Sequence, residues 1–451
     1  MRILILGAGA TGRTLAVTLS EMDHDLVLVD SDAEALAAVE RSADVMTIQG
    51  QGSSPVTLEE AGIGKTDLLL AVTNRDEVNI LACLYAHAAG VRTKVARIAD
   101  TDYLAASRWD WSALGLDLLV SQSQECADEI RMILRHPGAV DVVDILEGKI
   151  LAVGLRVLAE SPLAGKTLLE VGQAHAIVTR SRVMALLRRG KLQIPHGNTR
   201  LLAGDEVYVA LRAADVDPFL DWALPERPSR GRVIVAGGGG IGLALAAALE
   251  QEGQGRNVVL IEQDARRSEL AASTLHRTLV LRGDASHRET LEEAGLNAGA
   301  AFVALTGDDE LNIVSCVLAK EMGAAWTVAQ VGNPEYAPII RHMKLLDRVT
   351  SPYTTMINVI LRFVRGRNVR AATLFQSLPG EILEVELGVA SKWAGRALRQ
   401  VPLPPGAIIP LVQRAREEFI PGGDFVLAAG DRLAVFVEPE IATRVAALLK
   451  K

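Results

Sequence analysis

The sequence predicts an α/β protein: two doubly wound parallel sheets, each followed by a small β-rich α+β module. Three observations carry this. An apolar strand running into a glycine fingerprint occurs twice, ILILGAGATG at 3–12 and VIVAGGGGIG at 233–242. A second apolar run closes on an acid each time, Asp30 in LVLVD and Glu262 in VVLIE. The two halves also stay in register far beyond the glycines. GQGSSPVTLEEAGI (50–63) matches GDASHRETLEEAGL (283–296), and TNRDEVNILACLYA (73–86) matches TGDDELNIVSCVLA (306–319) at the same spacing, so that Cys83 corresponds to Cys316. A constant spacing over such a distance means a duplicated domain.

Each element follows from the local pattern. In the first copy, short apolar runs place strands near 2–6, 26–30, 44–48, 67–72 and 94–98. Helix-length segments between them place helices near 10–21, 32–41, 54–61, 75–90 and 101–107. Strands alternating with helices imply a parallel sheet covered on both faces. The segment LGLDLLVSQSQECADEIRMILRH (114–136) reads as a crossover helix with an apolar face, and LLDRVTSPYTTMINVILRFVRG (345–366) is its counterpart. Such a face packs either on a neighbouring lobe or on its own. The small modules are duplicated as well: SPLAGKTL (161–168) resembles SKWAGRAL (391–398), and IPHGNTRLLAGDEVYVAL (194–211) resembles IPGGDFVLAAGDRLAVFV (420–437). The expected domains are 1–140, 141–225, 226–368 and 369–451. The proline-bearing segment 213–231 is a linker or a connecting helix between the halves.

Bulk properties narrow the function. Of 451 residues, 49% are hydrophobic and 4% aromatic, which suits tightly packed α/β layers. The net charge of -8 and the absence of a long basic run argue against nucleic acid or an acidic membrane surface as direct partner. Three dispersed cysteines, Cys83, Cys126 and Cys316, form no CxxC and fit a reducing compartment. The uncharged stretch 233–249 is short for a membrane span and is broken by four glycines. A soluble cytoplasmic protein is expected.

The fingerprints carry the chemistry. Gly7 and Gly237 permit the tight turn, Gly9 and Gly239 let the backbone approach a pyrophosphate, and Gly12 and Gly242 bring helix and strand together. The helix N-terminus turns free N–H groups and a positive dipole end toward phosphates. Asp30 stands 18 residues past Gly12 and Glu262 stands 20 past Gly242, near the spacing of about 20 at which a carboxylate bonds ribose hydroxyls. That carboxylate repels a 2′-phosphate, so NAD or an adenine nucleotide is favoured over NADP. The competing reading is a packed turn with no ligand. Thr73 and Asn74 follow the fourth strand at the sheet's carboxyl edge, where ligands of this fold bind. Arg97 ends the fifth strand and is placed to reach a phosphate, or else forms a surface salt bridge; its counterpart is Gln330, so the two sites are expected to differ. Asn79 and Asn312 read as polar pins of a helix. Arg13 either touches a phosphate or is solvated.

Other signals are discounted. GKT occurs in GIGKTD and LAGKTL, but Glu59 and Glu160 stand where a P-loop needs glycine. The eight histidines form no ligand cluster. Neither a Tyr-x-x-x-Lys pair nor a Gly-x-Ser-x-Gly elbow occurs. The LEEAG acids suit a solvated helix end.

Taken in order, these motifs resemble the Trk-type potassium-uptake regulatory subunit, the tandem form of the RCK (KTN) gating domain. The resemblance covers nearly the whole chain and rests on GAGATG with Asp30, QGQGS (49–53), TNRDEVNI (73–80), ARI (96–98), GGGGIG with Glu262, GDAS (283–286), TGDDELNI (306–313), SPYTTMINVILRFVR (351–365) and the paired AGDEV and AGDRL. It implies a peripheral cytoplasmic protein on the inner face of the membrane, bound to a potassium-translocating membrane subunit. It implies homotetramers whose Rossmann-like lobes form a gating ring, with NAD(H) or ATP/ADP as regulators. By analogy the nucleotide contacts are Gly7, Ala8, Gly9, Ala10, Thr11, Gly12, Asp30, Thr73, Asn74 and Arg97, then Gly237, Gly238, Gly239, Gly240, Ile241, Gly242 and Glu262. One departure is visible: Gln51 stands where many RCK domains, and Asp284 here, carry an acid. The alternative is an NAD-dependent oxidoreductase. Against it, each fingerprint is followed by a small β-rich module and not by a substrate domain.

Overall fold

A computed structural model of the chain describes all residues except 23, 106–108, 146–148, 228–230, 253–256, 334, 344, 365–368, 376–377, 390, 416 and 450–451. The first lobe alternates strand and helix: β1 (Arg2–Leu6), α1 (Ala10–Ser20), β2 (Asp25–Asp30), α2 (Ala33–Glu40), β3 (Met46–Gln49), α3 (Pro55–Glu60), β4 (Leu68–Ala71), α4 (Asp76–Ala88), β5 (Thr93–Arg97), α5 (Thr101–Ala105), β6 (Leu118–Val120) and α6 (Gln122–Arg135). The first small module follows as β7 (Ala139–Ile145), β8 (Ile150–Arg156), α7 (Leu168–Ala174), β9 (Ser181–Arg188), β10 (Lys191–Gln193), β11 (Glu206–Arg212) and α8 (Val216–Ala223).

The second lobe repeats the first: β12 (Val233–Ala236), α9 (Gly240–Gln251), β13 (Val258–Glu262), α10 (Ala265–Thr274), β14 (Leu279–Arg282), α11 (Arg288–Glu293), β15 (Ala301–Ala304), α12 (Asp309–Glu321), β16 (Trp326–Gln330), α13 (Tyr336–Met343), β17 (Arg348–Thr350) and α14 (Pro352–Val364). The second module comprises β18 (Val369–Leu374), β19 (Glu381–Glu386), β20 (Ala407–Arg414), β21 (Glu417–Phe419), β22 (Arg432–Val437) and α15 (Ala442–Leu449).

The lobes have the same parallel sheet, in the orders β3-β2-β1-β4-β5-β6 and β14-β13-β12-β15-β16-β17. The order reverses between the first and fourth strands of each lobe, and that switch point opens the crevice where ligands of such sheets bind. The central strands are buried on both faces, as Ile3 to Leu6 and Leu68 to Ala71 show, so they read as continuous apolar runs with no alternation. The modules carry five-stranded antiparallel sheets, in the orders β10-β9-β11-β8-β7 and β18-β19-β22-β20-β21.

Packing divides the chain into two units, Met1–Cys126 with Pro352–Val364, and Ala127–Ser351 with Arg365–Lys451. In the first unit one face of the sheet packs on α4 through Ala82, Cys83 and Ala86, and α14 lies against α1. In the second unit Ala127, Ile130, Ile133 and Leu134 of α6 share a core with Leu245, Ala246 and Leu249 of α9. Each crossover helix therefore leaves the lobe that precedes it in the chain and covers the other lobe. The two small sheets of the second unit share a further core, where Tyr208, Phe375 and Phe436 meet edge to face at centroid separations of 5.4 and 6.0 Å.

The expected strands and helices of the first lobe are present within a few residues. A sixth strand, β6, was not expected; it occupies the start of the segment read as all helix. The expected helix at 101–107 is present over Thr101–Ala105, and 106–107 lie outside the described residues. Part of the 213–231 segment is α8, whose Phe219, Leu220 and Ala223 are buried in the first module's core; the segment belongs to that module and is more than a tether.

Candidate nucleotide-binding site

The first strand of each lobe ends in a turn that only glycine adopts easily. Gly7 and Gly237 have φ of +106° and +105°, the left-handed region closed to most side chains. Their N–H groups bond Val29 and Ile261 carbonyls at 2.8 Å. A Cβ on Gly12 would stand 1.8 Å from the Gly7 carbonyl oxygen, and one on Gly242 would stand 1.9 Å from that of Gly237. The third glycine is thus required because helix and turn touch. A Cβ on Gly9 or Gly239 would meet nothing within 4 Å, which leaves the turn open where a phosphate group has to approach.

The acids face these turns. Asp30 accepts from Ala8 N–H at 2.5 Å through Oδ2 and from Asp32 N–H at 2.9 Å through Oδ1. Glu262 accepts from Gly238 N–H at 2.7 Å through Oε2 and from Asp264 N–H at 2.8 Å through Oε1. Each carboxylate oxygen keeps acceptor capacity beyond its amide bond. Glu262 is buried and Asp30 half-buried.

The opposite wall is pinned by asparagine. Asn79 Oδ1 accepts from the N–H and hydroxyl of Thr73 at 3.0 and 2.7 Å, while its Nδ2 donates to the carbonyls of Thr73 and Arg97 at 3.1 and 2.8 Å. Asn312 repeats all four bonds with Thr306 and Gln330. Asp76 accepts from Ala99 and Asp100 N–H groups, and Asp309 from those of Gly332 and Asn333. These two aspartates tie helix four to the loop after the fifth strand, and sequence reasoning missed them.

In the second lobe a cavity of about 290 Å³ opens over the turn. It brings together the expected Gly237, Gly239 and Glu262 with Arg267, Asp284 and Thr306, among others. Gly240, Ile241 and Gly242 lie off its wall: Ile241 packs against the core, and Gly242 abuts the turn from behind. In the first lobe Gly7 is in close contact with Thr73, whose Cα would lie 3.1 Å from a Gly7 Cβ. Thr11 and Ala8 are buried, Ala10, Asn74 and Arg13 exposed. Arg97 is half-buried, and its Nε has no hydrogen-bond partner among the described residues. Thr306 was legible from the repeat register with Thr73.

The sites differ in charge. Gln330 replaces Arg97, whereas Arg267, third residue of α10, lines the second cavity at the helix position held by Ala35 in α2. Asp284 accepts from the N–H and hydroxyl of Ser286 at 2.8 and 2.7 Å, and these bonds hold its carboxyl below the usual aspartate value. Gln51, at the matching position, is exposed.

Comparison with known proteins agrees with this geometry. The TrkA-N domain family matches residues 3–121 and 233–352, and the TrkA-C domain family matches 152–223 and 382–450. A Trk system potassium uptake protein TrkA of Halomonas elongata is 36% identical, over 97% of this chain and 96% of the relative. Its namesake in Vibrio alginolyticus is 32% identical over the same shares. Among solved structures, the GsuK RCK domain superposes with a TM-score of 0.62 at 19% identity, covering 100% of this chain and 95% of that one. The GsuK channel bound to NAD gives 0.63 at 20% identity, covering 100% and 79%. Duplicated glycine turns, duplicated modules and full-length relatives agree: the chain belongs to the Trk system potassium uptake protein TrkA family.

Proposed function

We propose that this protein is a nucleotide-binding regulatory subunit that gates a potassium-uptake membrane transporter, working at the cytoplasmic face through that partner and without catalysis of its own. The observation that carries the reading is the twofold glycine turn with a carboxylate held against it, beside a crevice at the sheet's switch point. The residues fit an adenine nucleotide. Gly9 and Gly239 leave the phosphate approach open, and Asp30 and Glu262 offer ribose hydroxyls the lone pairs that their amide bonds leave free. A 290 Å³ cavity lies at the low end of small-ligand sites, about 300–1,000 Å³. That suits a mononucleotide, or one half of NAD(H) with the remainder in the open crevice. The proposed contacts are Gly7, Gly9, Asp30, Thr73, Asn74 and Arg97 in one lobe and Gly237, Gly239 and Glu262 in the other, joined by Arg267 and Thr306.

Support for a sensor over an oxidoreductase comes from the polar side chains around the second cavity. Glu262 holds the Gly238 and Asp264 N–H groups, Asp284 that of Ser286 and Asp308 that of Leu311 at the start of α12, and Thr306 is taken by Asn312. Groups so engaged shape the pocket's wall. A homotetramer is supported by exposed apolar side chains on the same helices of both lobes: Leu81 and Val314 at matching places on helix four, and Leu104 in one lobe and Ile339 in the other on helix five. In cells lacking the endogenous subunit, the intact protein should restore potassium uptake, and Asp30→Ala combined with Glu262→Ala should abolish nucleotide control of it. Steady consumption of NADH dependent on a small metabolite would overturn the reading.

A further inference from the structure

The edge strand of the second lobe carries a buried charge network whose four polar members are apolar at the repeat-related positions. Arg348 on β17 is 3% exposed. Its guanidinium pairs with Asp141 on β7 at 3.1 Å and with Glu129 on α6 at 3.7 Å, and it donates to the Val140 carbonyl. Glu129 also accepts from the Thr350 hydroxyl at 3.1 Å. Three elements, the lobe's edge strand, the crossover helix and the first small sheet, are thus tied at one point. Burial disfavours the charge on Arg348, and Asp141 and Glu129 outweigh that effect, holding the guanidinium above its ordinary range.

The repeat makes the network informative. Asp117 and Asp347 play the same part in the two lobes, accepting from the N–H of Lys94 and of Thr327 at 2.8 and 2.9 Å. The first ladders of the two small sheets shift register at corresponding places, between Ala139 and Asp141 and between Val369 and Ala371. In that register Leu118 stands for Arg348, Val120 for Thr350, Val359 for Glu129 and Ala371 for Asp141. All four polar members are replaced together by apolar ones. Removing one member of a buried ion network strands the rest, whereas an apolar set packs without them. The network's polar residues therefore occur at one set of repeat-related positions and are apolar at the other.

The same network joins the wall of the pocket. Thr306 lines the cavity and is held by Asn312. Asn312 donates to the Gln330 carbonyl at 3.0 Å, Gln330 lies opposite Thr350 in the sheet, and Val331 N–H bonds the Thr350 carbonyl at 2.9 Å. The Thr350 hydroxyl then reaches Glu129. In the first lobe the path runs from Thr73 through Asn79 and Arg97 to Ile98 N–H on the Val120 carbonyl at 2.9 Å, where the valine side chain offers no hydroxyl to extend it.

We propose that the Thr350–Glu129–Arg348–Asp141 network transmits occupancy of the second lobe's pocket to the crossover helix α6 and the first small module. It rests on the nucleotide-binding reading above. Contiguity alone does not demonstrate coupling, so the test measures both ends. Hydrogen exchange is followed with and without NADH on the full chain carrying Asp30→Ala, which disables the first site. NADH should slow exchange severalfold in two places, the turn at 237–242 and the helix at 127–135. In Thr350→Val, and in the triple variant Arg348→Leu, Glu129→Val, Asp141→Ala, which installs the apolar residues of the repeat-related positions, the turn should stay protected and the helix should lose its response. Equal helix protection in all three proteins overturns the network. No protection of the turn in the parent overturns the nucleotide reading, and the network proposal falls with it.

Discussion

Asn79 and Asn312 show how much one side chain decides. Each closes four hydrogen bonds between the turn after the fourth strand and the end of the fifth, and each is fully buried. Replacing Asn79 with alanine strands the Thr73 N–H and two carbonyls, and a buried group left unpaired costs roughly 1–3 kcal/mol. The urea midpoint of Asn79→Ala should fall accordingly; an unchanged midpoint would refute the pin. Gly242→Ala brings a Cβ against a backbone oxygen that cannot swing aside, so helix and turn must separate. Overpacking of this kind costs about 1–3 kcal/mol, and calorimetry should show the second site's nucleotide affinity lost while Gly239→Ala, at an open position, leaves the fold intact. Burial pushes the Cys83 thiol up to about 12 and raises Cys316 further. At pH 8 almost no thiolate exists at either, so an iodoacetamide label should enter them only after denaturation. The glycines and Asp30 were legible in the sequence because they are local signatures. Asp76 and Asp309 were not, since an acid in a helix's first turn is ordinary dipole chemistry, and only the fold brings the loop after β5 to it.

The central strands could be read directly, because burial on both faces makes them unbroken apolar runs. β6 and β17 could not: three residues each, they merge with the helix that follows. The apolar face of the crossover helix was also legible, but the lobe it covers was not, because a hydrophobic stripe carries no address. Ile130 of α6 is fully buried in the second lobe's core. Ile130→Asp should therefore destabilise the second unit by several kcal/mol, since a carboxylate there has no partner among its apolar neighbours. Retention of the wild-type melting profile would mean that the helix does not pack there. Asp284 adds a pH signature. Its carboxyl lies below the usual value when folded, so its stabilisation is present above the ordinary aspartate range and is lost as pH falls through the lowered value. Asp284→Asn should reduce stability at pH 7 and narrow the difference from wild type in strong acid.

As a whole, the molecule is a duplication whose halves have diverged around the glycine turns and the second lobe's edge strand. The sheets and glycine turns are kept twice, while Arg97 becomes Gln330, Ala35 becomes Arg267, and an apolar set becomes the Arg348 network. A ligand shifts such a protein only as far as its affinities for the two states differ, so unequal pockets give a regulator two inputs of different weight. The repeat was plain from the sequence; the divergence was visible in part, at Gln330, and the rest needed contacts between distant residues. The central claim is that both glycine turns hold nucleotide. Titrating NADH into wild type, Asp30→Ala, Glu262→Ala and the double variant by calorimetry tests it most directly. Each single change should weaken one class of site by roughly 1–3 kcal/mol, the cost of lost ribose hydrogen bonds, and the double variant should bind neither. Undiminished NADH binding by the double variant would contradict it.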